Sequence, residues 1–187
     1  GAGVAGTQSI IKAIDNKALV KVVDSSQAKL DELMSAYGSN NVEYILSSEE
    51  SIQSSINESD LVIGSVYVVG KEAPKVITKE MLSSMSPGTV MVDVSIDQGG
   101  CFETSKPTTH DNPTFLENDI VHYCVTNMPG AVPLTATEAL NKVTLSYIDK
   151  LANNGISNAL NSDIHLKNGL NMQNGKIVHP GVIEALS

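Results

Sequence analysis

The chain has 187 residues, 41% of them hydrophobic, and a formal net charge of -9, which suits one packed domain, or one domain and part of another. The acidic balance argues against a nucleic-acid binder, which would carry a basic patch, and against an anionic membrane surface as partner. No apolar run approaches the roughly 20 residues of a membrane helix, and the glycine-rich start lacks the basic region of a signal peptide.

Gly1-Ala2-Gly3-Val4-Ala5-Gly6 is a GxGxxG, and Thr7 to Ile14 after it is helix-compatible, with apolar residues at Ile10, Ile11, Ala13 and Ile14. Ala18 to Val23 reads as a strand that Asp24 ends, 18 positions after Gly6 and near the roughly 20 of a dinucleotide fingerprint. In that fingerprint the glycines make a tight turn, let the backbone approach a pyrophosphate, and allow the helix to sit close on the sheet. The helix start then offers free N–H groups to the phosphates. Asp24 would bind the adenosine ribose hydroxyls, which favours NAD over its 2′-phosphorylated relative. The fingerprint needs a strand before its first glycine. The expectation is therefore a piece of a longer protein, cut at the glycine turn, whose central first strand is absent from this chain.

Further along, Lys29 to Tyr37 reads as a short helix, Val42 to Leu46 as a strand, Ser51 to Glu58 as a helix, and the apolar Asp60 to Val66 as a buried strand. Gly70 to Pro74 is a loop, and Thr78 to Met85 a helix opened by Thr78 as N-cap. Pro87-Gly88 turns the chain into Val90–Val94, another buried strand. Asp97 and Gln98 follow at its carboxyl end, and Gly99-Gly100 bend the chain sharply. Ligands of open α/β sheets bind outside the carboxyl ends of strands, so Asp97 is placed for chemistry; Asp before Gly-Gly is also ordinary turn chemistry. A long loop, Gly99 to Asn118, leads to a last strand, Ile120 to Val125. Strands alternating with helices imply a parallel sheet covered on both faces, a doubly wound α/β fold of Rossmann type.

Asn127-Met128-Pro129-Gly130-Ala131-Val132-Pro133 breaks the pattern and has the stiffness of a hinge. A long helix follows over Thr135 to Asn153, ended by Gly155. Ile156 to Ser187 is too short to be a domain by itself and is expected to pack against something else. Cys101 and Cys124 do not make a disulfide framework, which fits a reducing interior. His110, His122, His165 and His179 are scattered and do not cluster with cysteine at metal-ligand spacing, so no metal is expected.

The stretches GAGVAG, DLVIGSVYVVGKEAPK, VDVSIDQGGCFETSKPTTH and HYCVTNMPGAVPLT resemble the alanine dehydrogenase family, whose members oxidatively deaminate L-alanine to pyruvate and ammonium with NAD. The likeness runs from Gly1 to about Asn154. It implies a cofactor domain over residues 1–130. It also implies that residues 131–187 are the long helix and the C-terminal part of a substrate domain. Residue by residue it makes Asp97 the active-site aspartate and places Gly1, Gly3, Val4, Ala5 and Gly6 in the pyrophosphate turn. Asp24 becomes the ribose acid. Lys29 and Ser47 fall near the adenosine, and Val66 and Tyr67 at a strand end under the cofactor. Val94, Ser95 and Ile96 line the nicotinamide side with Asp97, and Val125, Thr126, Asn127 and Met128 complete it. Lys106 stands where many members have arginine, which keeps the charge and loses the planar fork.

The family's catalytic histidine and its substrate-binding arginine and lysine would lie outside this chain. The resemblance further implies a homo-oligomer, by family a homohexamer. The cysteine usage fits a cytoplasmic protein, and with the central strand and the family's histidine outside it the isolated chain is expected to be inactive and poorly stable. Two other readings stay open. One is the NAD-binding component of proton-translocating transhydrogenase, which resembles the chain in its glycine turn. The other is a nucleotide-binding module without chemistry.

Overall fold

A computed structural model describes residues 1–70 and 72–186. They fall into two compact units, Gly1–Val68 with Glu72–Thr126, and Val69–Lys71 with Asn127–Ser187. Lys71, inside the Gly70–Pro74 loop expected from sequence, and the terminal Ser187 lie outside the described residues.

The first unit is the α/β layer structure that the alternation of segments implies. Helix α1 (Val4–Asp15) leads to strand β1 (Val20–Asp24), α2 (Gln27–Tyr37), β2 (Val42–Leu46), α3 (Glu49–Asn57) and β3 (Leu61–Gly64). Serines start two of these helices. Ser26 Oγ accepts the Lys29 N–H at the head of α2, and Ser48 and Ser51 exchange side-chain and backbone bonds in a capping box on α3. Gly38, at φ 71°, ends α2 in a backbone conformation that costs glycine little. β1 and β2 pair in parallel, Val20 opposite Val42. Both α1 and α2 pack on this pair. Ile10, Leu30, Leu33, Val22 and Val42 are buried together, with Ala2 of the glycine turn among them.

After β3 the chain runs to β4 (Val90–Asp93), β5 (Thr114–Glu117) and β6 (Ile120–Tyr123). The order is β3-β4-β6-β5, with β3, β4 and β6 parallel and β5 antiparallel at the edge. Ile56 of α3 and the connecting residues Ala73, Ile77, Met81, Leu82 and Met85 close over Met91, Phe102 and Ile120 as a second core. Among the described residues no ladder joins β1 to β3. Instead the Gly1 amine donates to Val23 O at 3.0 Å, and Ser65 Oγ donates to Gly1 O at 2.7 Å.

Two local expectations give way. The Thr78–Met85 helix is one 3-10 turn over Glu80–Ser84, although Thr78 Oγ1 does accept the Met81 N–H at 3.4 Å. Its serines hold a helix poorly, and the segment is kept by the burial of Met81, Leu82 and Met85. The long loop after Gly99 contains β5. Asn118 and Asp119 both sit at positive φ (52° and 60°), the two-residue turn that joins antiparallel strands without splaying them.

The second unit holds α4 (Pro133–Ser162), α5 (Ile164–Asn168), the β7–β8 hairpin (Met172–Gln173 and Lys176–Ile177) and α6 (Pro180–Ala185). Gly155 does interrupt α4, with φ 71° and ψ 160°, but the helix resumes beyond it. Asp163 caps α5 through the His165 and Leu166 N–H groups and pairs with Lys150. Leu140, Val143, Leu145 and Ile148 of α4 are each more than half exposed. No described helix is long and apolar enough to cross a membrane.

Candidate functional site

The carboxyl ends of β1, β3, β4 and β6 carry most of the residues singled out from the sequence, and a run of hydrogen bonds connects three of those ends. Asp24, last in β1, accepts the Ala2 N–H on Oδ2 at 2.7 Å and the Ser26 N–H on Oδ1 at 2.9 Å. Its own carbonyl accepts the Ser47 N–H at 2.9 Å, which brings the end of β2 alongside. Gly1 reaches β3 through Ser65, and Ser95 Oγ, just past β4, donates to Val66 O at 2.7 Å. Val125 and Thr126 follow β6 and are held by Thr108, whose N–H donates to Cys124 O and whose carbonyl accepts the Thr126 N–H.

The three glycines of the turn do different work. A Cβ on Gly1 would stand 2.8 Å from Ser65 O, and one on Gly6 would stand 2.1 Å from Gly1 O. Both positions are closed by backbone. A Cβ on Gly3 would meet nothing within 4 Å. Gly3 is also the N-cap of α1 and offers it no side-chain hydrogen bond, so the first N–H groups of that helix lack an intrahelical or side-chain cap partner. The sequence therefore builds an open, donor-rich helix start beside a carboxylate, while the flanking glycines let α1 sit tightly on the sheet.

Past β4 the chain makes a 3-10 turn, Ile96–Gln98, and leaves through Gly99 and Gly100 at φ 87° and 76°. Asp97 is exposed at the tip of this turn, while Ser95 and Ile96 are buried. Beneath it lies a second carboxylate, Asp93, with no solvent exposure. Asp93 accepts N–H bonds from Ser95 (2.9 Å), Cys101 (2.8 Å) and Phe102 (3.3 Å), and the Ser105 hydroxyl at 2.5 Å. The Cys101 thiol is also within 3.4 Å. Burial first, and the Asp93 charge second, push that thiol up to about 12. Gly64 of β3 must lack a side chain because a Cβ there would strike Cys101 Sγ at 2.4 Å and the Phe102 ring at 2.6 Å. Above the turn, Lys75 Nζ donates to the Gly99 and Gly100 carbonyls.

Other residues named from sequence have plain surroundings. Lys29 pairs with Glu32 at 2.9 Å along α2. Lys106 lies 3.4 Å from Glu117 and over the Phe115 ring. Tyr67 is 66% exposed and Val94 36%, whereas Val125 is fully buried. Asn127 and Met128 belong to the second unit. His122 is buried, stacked on Phe115 and bonded to Thr104 Oγ1 at 2.8 Å and Ile120 O at 3.1 Å; desolvation pulls its pKa down. Asp93 is the residue that sequence reasoning missed. Its signal was an acid inside an otherwise apolar strand, Val90-Met91-Val92-Asp93-Val94.

Known proteins share this chain's sequence and fold. Residues 1–180 match the family model "Alanine dehydrogenase/PNT, C-terminal domain". The chain is 47% identical over 185 residues to an alanine dehydrogenase of Halomonas elongata, covering 99% of this chain and 50% of that protein. It is 44% identical over 186 residues to one of Staphylococcus haemolyticus, with the same coverage. Among solved structures, an L-alanine dehydrogenase superposes with a TM-score of 0.86 at 44% identity, over all of this chain and 51% of that one. A transhydrogenase from Sinorhizobium meliloti superposes at 0.74 with 25% identity, over 96% of this chain and 48% of that one.

Proposed function

Because the chain belongs to the alanine dehydrogenase/PNT C-terminal domain family, we propose that the complete protein is an NAD-dependent alanine dehydrogenase, converting L-alanine reversibly to pyruvate and ammonium. Membership implies an oxidoreductase with a nicotinamide dinucleotide. The chain spans about half the length of the relatives it matches, so activity belongs to the complete protein, and the 187 residues alone are expected not to turn over alanine. Residues 1–130 are read as the cofactor domain and 131–187 as the long helix and C-terminal part of a substrate domain. The same reading includes a cytoplasmic homo-oligomer, by family a homohexamer.

One observation carries the assignment: Gly3 is open where Gly1 and Gly6 are closed, at a helix start beside the Asp24 carboxylate. That arrangement fits a pyrophosphate against backbone, with ribose hydroxyls on the acid. A bound nicotinamide would supply the hydride acceptor for the alanine α-carbon. The protein's part is to bind, orient and move protons. Val4, Ala5 and Gly6 N–H groups would meet the phosphates, and Asp24 would take the ribose. The Ser95–Asp97 turn would border the nicotinamide. The Asp97 carboxylate accepts a proton from the substrate amine or the attacking water and returns it to the departing ammonia.

The test is NADH formation by the complete protein from L-alanine and NAD. Hydride exchange between two nicotinamide cofactors without any need for alanine would replace this reading with the transhydrogenase one. Cofactor binding with neither reaction would leave a nucleotide-binding module.

A further inference from the structure

Asp93 is a fully buried carboxylate in the middle of the unit, and no metal or cationic side chain is among its hydrogen-bond partners. Charge in a dry interior is costly unless it is fully hydrogen-bonded. Here the partners are the two ends of one loop. Ser95 N–H stands at its start, and Cys101 N–H, Phe102 N–H and Ser105 Oγ–H stand at its close. The loop between them carries Asp97.

We propose that Asp93 is a positioning residue for Asp97: its carboxylate, by accepting Ser95, Cys101, Phe102 and Ser105 together, clamps both ends of the 95–102 loop and fixes where the Asp97 carboxylate stands.

Three features of the geometry carry this. Oδ1 takes the Ser95 N–H and the Cys101 thiol, and Oδ2 takes the Cys101 and Phe102 N–H groups and the Ser105 hydroxyl, so one carboxylate holds both ends of the loop. Gly100 cannot carry a side chain, because a Cβ would stand 2.8 Å from Asp93 Oδ2 and 2.9 Å from Ser105 Cβ; the loop is drawn down onto the carboxylate. Ser95 is at once clamped by Asp93 and bonded to Val66 O, so the loop is referenced to β3 as well as β4. The inference rests on the role proposed for Asp97.

The experiment uses the complete protein with Asp93→Asn, Asp97→Asn and both together. Asparagine keeps the size, but its NH2 group must face at least one N–H or O–H donor. Misplacing a reacting group by about 1 Å can cost about a hundredfold, so Asp93→Asn is expected to lower kcat by about that factor while KM for NAD stays within about twofold. The double variant should be no slower than Asp97→Asn alone, since a residue that acts through Asp97 has nothing left to position. Losses that multiply would overturn the proposal, as would an Asp93→Asn enzyme of unchanged kcat.

Amide hydrogen exchange supplies a readout independent of activity. Residues 95–105 should exchange faster in Asp93→Asn while α1 and β1 do not change, and unchanged exchange there overturns the clamp. If Asp93→Asn does not fold, Ser105→Ala decides; it leaves the carboxylate and removes one donor, and should lower kcat about tenfold, with no change counting against the proposal. A wild-type protein that forms no NADH from alanine would refute the function instead, and the exchange comparison would then judge the clamp alone.

Discussion

Oδ2 of Asp24 accepts the Ala2 N–H at 2.7 Å, binding the end of β1 to the glycine turn across 22 positions of sequence. One carboxylate thus shapes the glycine turn, and under the proposed function it would also meet the ribose. Removing its charge should cost cofactor selectivity as well as affinity. For Asp24→Ser in the complete protein, the ratio of kcat/KM for NAD over its 2′-phosphorylated relative should drop by about tenfold to a hundredfold, the scale of charged hydrogen bonds. Steady-state kinetics with both cofactors measures this, and an unchanged ratio would remove Asp24 from the ribose site.

Gly3 and Gly6 should respond in opposite ways to the same methyl group. Gly6→Ala forces a Cβ to 2.1 Å from a backbone carbonyl, and overpacking of this kind typically destabilises by about 1–3 kcal/mol. Gly3→Ala has room in the protein itself and should keep the melting temperature while weakening cofactor binding. Thermal melts beside NADH titrations separate the two. A Gly3→Ala protein that binds NADH normally would mean the pyrophosphate does not lie there.

Asp97→Asn keeps the size of the side chain at the tip of the Ile96–Gln98 turn and removes its basicity. General acid–base help is typically worth about a hundred- to ten-thousand-fold, so turnover should fall within that range with cofactor affinity retained. A loss under about tenfold would make Asp97 a turn residue.

The Cys101 thiol, held up to about 12 by burial and then by Asp93, should resist iodoacetamide at pH 8 in the folded protein, where only roughly one thiol in ten thousand is ionised. The linkage also has a sign. The unfolded thiol loses its proton near its ordinary value of 9 while the folded one keeps it, so this group's contribution is intact below pH 9 and is lost as pH rises toward 12. Cys101→Ala should flatten the alkaline fall in the urea midpoint. Rapid labelling of native Cys101 would show the loop to be open.

Most of the scaffold was legible because its signals are local. The glycine spacing and the apolar runs through β3 and β4 each act within a few residues, while the Ser26 and Ser48 caps, which start α2 and α3 two residues before the expected Lys29 and Ser51, went unread. The structure adds what depends on distant partners. Asp93 looks like one polar residue in a strand until Cys101, Phe102 and Ser105 fold over it. Gly64 looks dispensable until the Phe102 ring arrives. β5 is hidden in the sequence because Thr114–Glu117 falls inside the expected Gly99–Asn118 loop, although Asn118 and Asp119 both tolerate the left-handed conformation that the hairpin needs.

That turn also bears on the order in which the protein assembles. β5 and β6 are separated by two residues, so their pairing closes almost no loop and can form in about 1–10 μs, the timescale of hairpins. The parallel partners of the same sheet, Val90 opposite Val121 and Leu61 opposite Val90, must first close some thirty residues of chain, an entropy cost paid before any contact rewards it. The edge of the sheet, rather than its middle, should therefore be the first part to hold its amides against exchange during refolding. Pulse labelling that found β3 and β4 protected before β5 and β6 would reverse this order. On this account the Asn-Asp turn at 118–119 is already formed when the slow parallel pairing occurs, and replacing Asn118 by a β-branched residue should slow the protein's arrival at its native state more than it speeds its departure.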